Sequence, residues 1–446
     1  MKNILVIGAG LSASTLIKYL LDNSEEFSWH ITVADFNEET AKQKIAGHKN
    51  ASAVKFDIFD SKQKEAEIKN ADIVVSMLPA RMHGEVAESC LKYKKNMVTA
   101  SYVSKEIKRM VKDVPDNNIL ILSEIGVDPG IDHMSAMQII DRIKEAGGKL
   151  DAFKSYTGGL VAPKYDNNPW NYKFTWNPRN VVLAGQGSAA RIIIDGKYKH
   201  IPYNRLFTHT FSTNLPEYGE FEVYPNRDSL KYRPIYNLDE IPTLIRGTMR
   251  RPGYAQAWNT FVQLGMTDDS YTVENSENMT YREFTETFLA PGEELSTEEK
   301  LAHELSYEPE GTLMYKLRWL GIFTDTKIGL PHATPAQIMQ KLLTEKWNLE
   351  EDDRDMIAMQ HIFDYSIEGK KKRIKSSMVI EGKDSVHTAM SITVGLPVAI
   401  AVKMILTGKI NAKGVVIPIK KDIYTPVLKE LETYGIQFIE EEEELS

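Results

Sequence analysis

The stretch MKNILVIGAGLSASTLIKYL, residues 1–20, decides the fold of the first part of the chain. A short aliphatic run ends at Gly8, and Gly10 and Ala13 complete a GxGxxA pattern before a helical segment that extends to about Leu21. Glycines at these positions let the backbone turn tightly and approach a pyrophosphate at the positive end of a helix. The pattern therefore predicts a strand, turn and helix that bind a dinucleotide, although such a turn can also merely pack a helix against a strand.

The remainder of the first 125 residues repeats this alternation, with aliphatic runs such as ITVADF, ADIVVSMLP and NILILSEIG between helical stretches. This order is typical of a doubly wound sheet of parallel strands. The second run ends in Asp35, where a carboxylate accepts hydrogen bonds from the adenosine ribose hydroxyls and repels a 2′-phosphate. We therefore expect NAD, with NADP possible, unless Asp35 is a loop acid without a ligand.

Beyond the first domain, the pattern changes to aromatic-rich strand candidates, then to helices with capping-box signals at Thr280, Ser296 and Thr334. Strands return around a turn near Glu368 and Gly369. The sequence predicts an α/β fold with three parts. These are an N-terminal Rossmann dinucleotide-binding domain (1–128 and 391–446), a second α/β substrate-binding and dimerisation domain (129–250 and 355–390), and a small helical insert (251–354).

Composition excludes several classes of protein. No apolar run approaches the roughly 18 residues of a membrane span, so no membrane partner is expected. The net charge of -8 argues against a nucleic-acid partner. With Cys90 as the single cysteine and no recognisable signal peptide, we expect a cytoplasmic protein without intrachain disulfides. The glutamates 440–444 are predicted to form a solvated tail, and GKKKRIK, residues 369–375, a solvated turn.

The stretch SEIGVDPGIDHM, residues 123–134, places Asp128, Asp132 and His133 within six positions. The pattern is compatible with metal ligands, an acid–base pair or the start of a helix. The histidines of the chain show no HxH or HExxH spacing, so no metal is predicted. Asp128 ends the last strand, where ligands bind, and is interpreted as the functional acid. Asp132 and His133 enter a helix that Asp132 can cap, and the role of His133 stays open. For His83, local packing at a helix start is favoured over a cofactor phosphate.

The chain resembles the saccharopine dehydrogenase family over nearly its whole length, and most of all the L-glutamate-forming branch. The stretches that carry the resemblance are VSMLPARMH, VTASYVS, GVDPGIDHM, SYTGGLVAP, FEVYPNRDSL, IRGTMR and TAMSITVGLP. The resemblance implies an oxidoreductase of lysine metabolism. It would cleave saccharopine with a nicotinamide cofactor and water to L-glutamate and 2-aminoadipate 6-semialdehyde, or catalyse the reverse. Phe36 stands where the NADP-dependent fungal members carry a basic residue, which again favours NAD, and Thr157 stands where many members have cysteine.

The resemblance also implies site residues. Its cofactor contacts fall at Gly8, Ala9, Gly10, Leu11, Ser12, Asp35, Asp57, Ile58, Met77, Ala100, Ser101, Val127, Asp128, Pro129 and Asn177. Its substrate contacts fall at Ser101, Tyr102, Asp128, Arg227, Thr248, Met249 and Arg250.

The chemistry of saccharopine gives some of these residues expected roles. The substrate carries three carboxylates, which arginine binds in bidentate geometry, so Arg227 and Arg250 are the carboxylate candidates, with an ordinary salt bridge as the alternative. The secondary amine must lose a proton before hydride leaves, and Asp128 and Tyr102 are the expected acid–base pair. Because an aspartate of pKa about 3.9 is a poor base for an amine, Asp128 needs burial to act, or else orients the amine and stabilises the iminium.

Two other functions remain open at this point. One is a related secondary-amine dehydrogenase such as carboxynorspermidine reductase, and the other is a regulator that binds NAD(H) without catalysis. The YPNRDSL and RGTMR stretches favour saccharopine because they supply anchors for a polycarboxylate. A homodimer with small-molecule partners only (saccharopine, glutamate and aminoadipate semialdehyde) is expected.

Overall fold

The computed structural model describes residues 1–292 and 294–445. The strands are β1 Lys2–Ile7, β2 Trp29–Asp35, β3 Ala51–Lys55, β4 Ile73–Ser76, β5 Asn96–Val98, β6 Leu120–Leu122, β7 Lys149–Val161, β8 Ala190–Ile194, β9 Lys197–Ile201, β10 Phe211–Leu215, β11 Gly219–Pro225, β12 Thr243–Arg250, β13 Asp355–Ile367, β14 Lys370–Glu381, β15 Gly414–Val416 and β16 Ile439–Leu445. The α-helices are α1 Ser14–Asp22, α2 Glu38–Ile45, α3 Ser61–Asn70, α4 His83–Tyr93, α5 Lys105–Arg109, α6 Asp113–Asp116, α7 Ile131–Glu145, α8 Pro178–Val182, α9 Tyr232–Ile235, α10 Tyr254–Leu264, α11 Tyr281–Glu286, α12 Thr297–Glu304, α13 Thr312–Leu320, α14 Pro335–Trp347, α15 Ala389–Leu406 and α16 Lys421–Glu432.

The chain divides into two compact units. The first contains residues 1–150 and 365–372 and the chain from residue 378 on, and the second contains residues 151–364 and 373–377. The chain therefore passes between the units within the β13–β14 hairpin as well as within β7. The three-part division expected from the sequence stays a prediction.

The first unit is built on a parallel sheet with the strand order β15-β6-β5-β4-β1-β2-β3. All its strand pairs are parallel. Its central strands read as continuous aliphatic runs because helices cover both faces, and Ile4, Val33 and Val75 are fully buried. The predicted Rossmann-type fold is confirmed, and the carboxyl ends of β1, β2, β4, β5 and β6 lie along one edge of this sheet.

The C-terminal part of the chain packs back onto this first unit, as predicted. Strand β15 extends the sheet beside β6, and α15 packs against α1. A Cβ added at Gly395 of α15 would lie 2.9 Å from the backbone nitrogen of Leu16 and 3.2 Å from the carbonyl oxygen of Ser12. A glycine at residue 395 thus allows α15 to approach the helix that follows the glycine-rich turn.

Helix α15 contradicts the expectation that no apolar run of the chain approaches the length of a membrane span. It is long and apolar enough to cross a membrane, so the statement that no run approaches this length was wrong. Within the fold, 72% of this segment is buried. Such burial is typical of a core helix, and length and composition alone could not distinguish the two environments.

The second sheet has the strand order β10-β11-β12-β7-β13-β14-β16, and the β8–β9 hairpin joins it at β12. Strands β7 and β12 are parallel, whereas β11 and β12 are antiparallel. Within the second unit, α10, α13 and α14 surround a dense aromatic cluster in which Trp170, Trp258 and Trp347 are fully buried. The capping boxes predicted at Thr280, Ser296 and Thr334 are present, each with the reciprocal side-chain bond of its third helical residue.

The acidic C-terminal run is solvent-exposed, as predicted, but it forms strand β16 rather than a tail, so that part of the prediction was wrong. The turn at Glu368 and Gly369 is confirmed, and both residues have positive φ. The basic residues after this turn lie on β14, which is the neighbour of β16 in the second sheet. Three glutamates of β16 pair with cations of the first unit: Glu444 with Lys370 (3.0 Å), Glu442 with Lys372 (2.6 Å) and Glu440 with Arg142. A strand presents alternate residues to one side. A rule for isolated charge runs cannot anticipate these cations, which lie 70, 74 and 298 residues away in the sequence.

Candidate active site

The glycine-rich turn lies between β1 and α1. Gly8 has φ +103°, and a Cβ there would lie 2.9 Å from the carbonyl oxygen of Met77, so the turn requires glycine. Gly10 caps a 3₁₀ turn formed by Leu11–Ala13 and has no atom within 4 Å of an added Cβ. Ser12 is half-buried in this turn. The backbone at Gly10 is therefore open to a ligand just before α1, as the predicted dinucleotide contact requires.

Asp35 links the end of β2 to this turn. Its Oδ2 accepts a hydrogen bond from the backbone N–H of Ala9 at 2.7 Å, and its Oδ1 accepts one from Asn37 at 2.9 Å. Phe36, the next residue, is 73% exposed. Each carboxylate oxygen keeps a further lone pair, so Asp35 can brace the glycine-rich turn and still accept a ribose hydroxyl.

The other predicted cofactor residues of the first unit differ in exposure. Asp57 is exposed, and its Oδ1 accepts the backbone N–H of Phe59 at 2.9 Å. Ile58 and Val127 are buried, whereas Ala100 is half-buried in the loop after β5. For the two buried side chains, any cofactor contact would involve the backbone.

Ser101, Tyr102 and Asp128 meet at the carboxyl edge of the first sheet. The Tyr102 hydroxyl donates to Asp128 Oδ1 across a long 3.4 Å, and Tyr102 is 42% exposed. Asp128 is half-buried and Pro129 is buried behind it. A Cβ added at Gly126 would lie 2.9 Å from the Ala100 Cβ, so the loops after β5 and β6 approach closely. The structure therefore brings together the two residues predicted to act as an acid–base pair.

Glu124 was missed by reasoning from the sequence. It has φ +60° and is buried, with Oε1 accepting the backbone N–H of Val103 at 3.1 Å and Oε2 lying 3.0 Å from His133 Nε2. Asp132 accepts the N–H of Gly130 at 2.6 Å, which agrees with its predicted place at a helix start. Glu124 joins the loop of Tyr102 to the start of α7, and no local signal reveals this role because its partners Val103 and His133 lie 21 and 9 residues away. The role of His133 could not be assigned from the sequence, and the structure shows that it forms the buried contact with Glu124.

His83 is also more deeply integrated than its sequence suggested. It is 1% exposed, with Nδ1 2.8 Å from Ser76 Oγ and Nε2 2.7 Å from Ser101 Oγ. Burial lowers the pKa of His83 to about 4, so the imidazole is neutral near pH 7. The histidine thus connects the end of β4 to a predicted ligand-binding residue after β5. The expected packing of His83 at the helix start is confirmed, but its contact with the Ser101 hydroxyl was not predicted.

In the second unit, Arg250 lies in a cage of tyrosines. Its guanidinium carbon is 4.7 Å from the ring centroid of Tyr172, 5.3 Å from that of Tyr254 and 5.8 Å from that of Tyr224. Arg250 is 3% exposed, and its Nη1 donates to the carbonyl of Met249 at 2.8 Å. Burial lowers the pKa of Arg250, but the three tyrosine hydroxyls together raise it more, so the guanidinium stays charged.

This cation has unused binding capacity. In the described part of the chain, Arg250 Nε is buried without a hydrogen-bond partner, and no carboxylate forms an ion pair with the guanidinium. The tyrosine rings, the Met249 carbonyl and the Tyr254 hydroxyl stabilise this buried charge, but no carboxylate of the described residues neutralises it. The arrangement is therefore suited to an anionic group supplied by a ligand.

The other predicted residues of the second unit have different environments. Arg227 is exposed after β11 with φ +46°, and Thr248 is half-buried beside Thr157 of β7. The Met249 side chain is fully buried. The Asn177 side chain caps α8 by accepting the N–H of Arg179 at 3.0 Å, which leaves its amide group as the available donor. Their ligand contacts stay predictions.

The chain was compared with known protein families. Residues 4–122 match the model described as "Saccharopine dehydrogenase NADP binding domain", and residues 126–436 match "Saccharopine dehydrogenase C-terminal domain". These matches coincide with the parallel sheet of the first unit and with most of the remaining chain. They support binding of a nicotinamide cofactor.

Curated proteins and solved structures agree with these models. The chain is 33% identical to saccharopine dehydrogenase [NADP(+), L-glutamate-forming] of Pyricularia oryzae, with 98% of each chain covered. It is also 33% identical to mitochondrial alpha-aminoadipic semialdehyde synthase of Mus musculus, covering 98% of this chain and 47% of that protein. Apo saccharopine dehydrogenase (L-Glu forming) from Saccharomyces cerevisiae superposes with a TM-score of 0.90, at 31% identity, over 99% of this chain and all of that one. The fungal names specify NADP(+), so the comparisons do not support the expectation of NAD.

Proposed function

Because the chain belongs to the saccharopine dehydrogenase family, we propose that it cleaves saccharopine with a nicotinamide cofactor and water. The products are L-glutamate, 2-aminoadipate 6-semialdehyde and reduced cofactor, and the reaction can run in reverse. The observation that carries the proposal is the meeting of Tyr102 and Asp128 at the sheet edge that also holds the glycine-rich turn. The homodimer and the cytoplasmic location stay predictions.

The residues at the first sheet fit a dinucleotide. The turn at Gly8 and Gly10 leaves open backbone before α1, and Asp35 braces it from the end of β2. When bound, the cofactor would supply the hydride acceptor. The chain itself must hold the substrate amine, move its proton and admit water.

Asp128 is assigned to the substrate amine. Its carboxylate is half-buried and already receives the Tyr102 hydroxyl, so it can orient a protonated amine and stabilise iminium charge. Tyr102, half-exposed beside it, can donate a proton to the departing nitrogen after water adds. Asp128→Asn and Tyr102→Phe separate these roles. If Asp128→Asn raises the saccharopine KM with turnover unchanged, Asp128 has no acid–base function.

Arg250 is assigned to a carboxylate of the substrate. The support is its buried guanidinium, which has no carboxylate partner among the described residues. A guanidinium binds a carboxylate through two parallel hydrogen bonds, and the tyrosine cage lowers the local dielectric around them. Arg227, exposed after β11, is the second candidate for such a contact.

NAD is proposed as the preferred cofactor. Asp35 puts a carboxylate at the end of β2, where it would accept ribose hydroxyls and repel a 2′-phosphate, and Phe36 supplies no positive charge to offset it. The NADP(+) in the names of the fungal relatives does not support this preference, so it depends on these two residues. We expect kcat/KM to be at least about tenfold higher with NAD than with NADP, and Phe36→Arg to reduce this ratio. Equal or better use of NADP by the unmodified protein refutes the preference.

The proposed reaction is tested by mixing the protein with saccharopine and either cofactor while following reduced-cofactor absorbance and glutamate. The expected result is formation of both products. If neither cofactor gives glutamate, the proposed function is wrong.

A further inference from the structure

A chain of buried hydrogen bonds runs from Ser76 through His83 to Ser101. Ser76 is the last residue of β4 and is fully buried, and its Oγ lies 2.8 Å from His83 Nδ1. His83 Nε2 lies 2.7 Å from Ser101 Oγ, and Ser101 is half-buried at the candidate site. The two serines therefore occupy opposite sides of one imidazole ring.

The direction of these bonds follows from counting donors. A neutral imidazole has one N–H donor and one nitrogen acceptor, and burial keeps His83 neutral by lowering its pKa to about 4. Across residues 1–292 and 294–445, Ser76 Oγ has no hydrogen-bond partner other than His83. If Ser76 did not donate to Nδ1, its buried O–H would be unsatisfied, which costs more than an unused lone pair. Nε2 then carries the proton and donates to Ser101 Oγ.

The backbone of Ser101 is fixed by hydrogen bonds on both its N–H and its carbonyl. Its N–H points to Thr99 Oγ1 at 3.3 Å, and its carbonyl accepts the N–H of Glu124 at 2.9 Å. The hydroxyl rotor is the remaining freedom of this residue. Because Nε2–H occupies one lone pair of Oγ, the Ser101 proton points away from the ring.

We propose that His83 is a positioning residue that presents the Ser101 hydroxyl as a hydrogen-bond donor to an oxygen acceptor of the bound ligand. That acceptor is either a carboxylate oxygen of the substrate or the carboxamide oxygen of the nicotinamide. If the acceptor is a carboxylate of the substrate, the inference rests on the proposed function. If it is the carboxamide of the nicotinamide, the inference can be tested without turnover. His83 does not touch the ligand and acts through Ser101.

A double-mutant cycle tests this proposal. The variants are His83→Met, Ser101→Ala and both together, and the readouts are the KM for saccharopine and the dissociation constant of reduced cofactor, measured by fluorescence titration. We expect His83→Met to raise one of these constants about tenfold, and to change it less than twofold when Ser101 is already alanine. The constant that changes identifies the ligand. His83→Gln keeps a donor toward Ser101 and should recover most of the loss.

A merely structural role for His83 predicts different results. Equal effects of His83→Met with and without the Ser101 hydroxyl, or a loss that His83→Gln does not recover, overturn the proposal. If His83→Met does not fold, Ser76→Ala replaces it in the same cycle. We then expect Ser76→Ala to have a smaller effect when Ser101 is alanine, and additive effects of the two substitutions would contradict the proposal. If the unmodified protein does not turn over saccharopine, the proposed function fails, and the cycle is decided on the cofactor constant alone.

Discussion

Replacing Arg250 with methionine should leave stability nearly unchanged while severely weakening substrate binding. The side chain is 3% exposed, so its charge has lost most of its hydration, a cost of several kcal/mol. The compensation comes from three tyrosine rings, each worth about 0.5–2 kcal/mol, and from hydrogen bonds with the Met249 carbonyl and the Tyr254 hydroxyl. These opposing contributions are similar in size, and methionine retains length and apolar contact. We expect the free energy of unfolding to change by about 1 kcal/mol or less.

Substrate binding has no such compensation. Losing one partner of a desolvated charge pair costs about 2–5 kcal/mol, so the KM for saccharopine should rise at least about thirtyfold. The KM of the cofactor should stay within about twofold, because all its predicted contacts except Asn177 belong to the first unit, whereas Arg250 belongs to the second. Steady-state kinetics and thermal unfolding of the same preparations measure both effects.

Arg251→Met is the matched control for this prediction. Arg251 is half-buried over the ring of Phe221 and donates to the carbonyl of Tyr218 at 2.7 Å. Its replacement should lower stability modestly without a comparable rise in the KM for saccharopine. If Arg250→Met instead unfolds at a much lower temperature and keeps its KM within threefold, Arg250 is structural and the reasoning is wrong.

Three further outcomes are expected. Gly8→Ala should abolish tight cofactor binding, because its Cβ would lie 2.9 Å from the Met77 carbonyl, whereas Gly47→Ala, with positive φ but open space, should not. Titration of reduced cofactor distinguishes the two. Since the pKa of His83 is lowered to about 4, the unfolded state takes up its proton first, and stability falls by about 3 kcal/mol as pH drops from 6.5 toward 4. His83→Gln should show a smaller fall in melting temperature over that range, and an equal fall contradicts the assignment. Changing the three paired glutamates of β16 to glutamine should cost at most about 1 kcal/mol per pair, because the pairs are exposed, and the loss should shrink in high salt. A loss that does not depend on salt would show that these pairs are not screened surface ion pairs.

Much of the first unit could be predicted from local pattern. The GxGxxA turn and the contact of Asp132 at the start of α7 each depend on neighbours within a few positions, and Asp35 was recognised because it ends the second aliphatic run. For the same reason, the capping boxes and the turn at Gly369 were found without knowledge of the fold. Periodicity and turn chemistry report such short-range constraints directly.

The features that were missed depend on residues distant in sequence. Glu124 shows its role only when Val103 and His133 are seen around it, and a bare SEIG stretch gives no sign of that. That no carboxylate among residues 1–292 and 294–445 pairs with Arg250 is likewise a property of the packed tyrosine cage. The acidic run was misread because its partners lie on β14 and α7. Tertiary contacts, rather than local propensity, decide such cases.

In the proposed reaction, this chain oxidises saccharopine at the amine and releases L-glutamate. Its most direct test is the ratio of glutamate formed to cofactor reduced, measured in one reaction with saccharopine as the only amino acid. We predict one glutamate for each reduced cofactor, and loss of both products when Asp128→Asn is combined with Arg250→Met. Cofactor reduction without glutamate, or no reduction with either NAD or NADP, would contradict it.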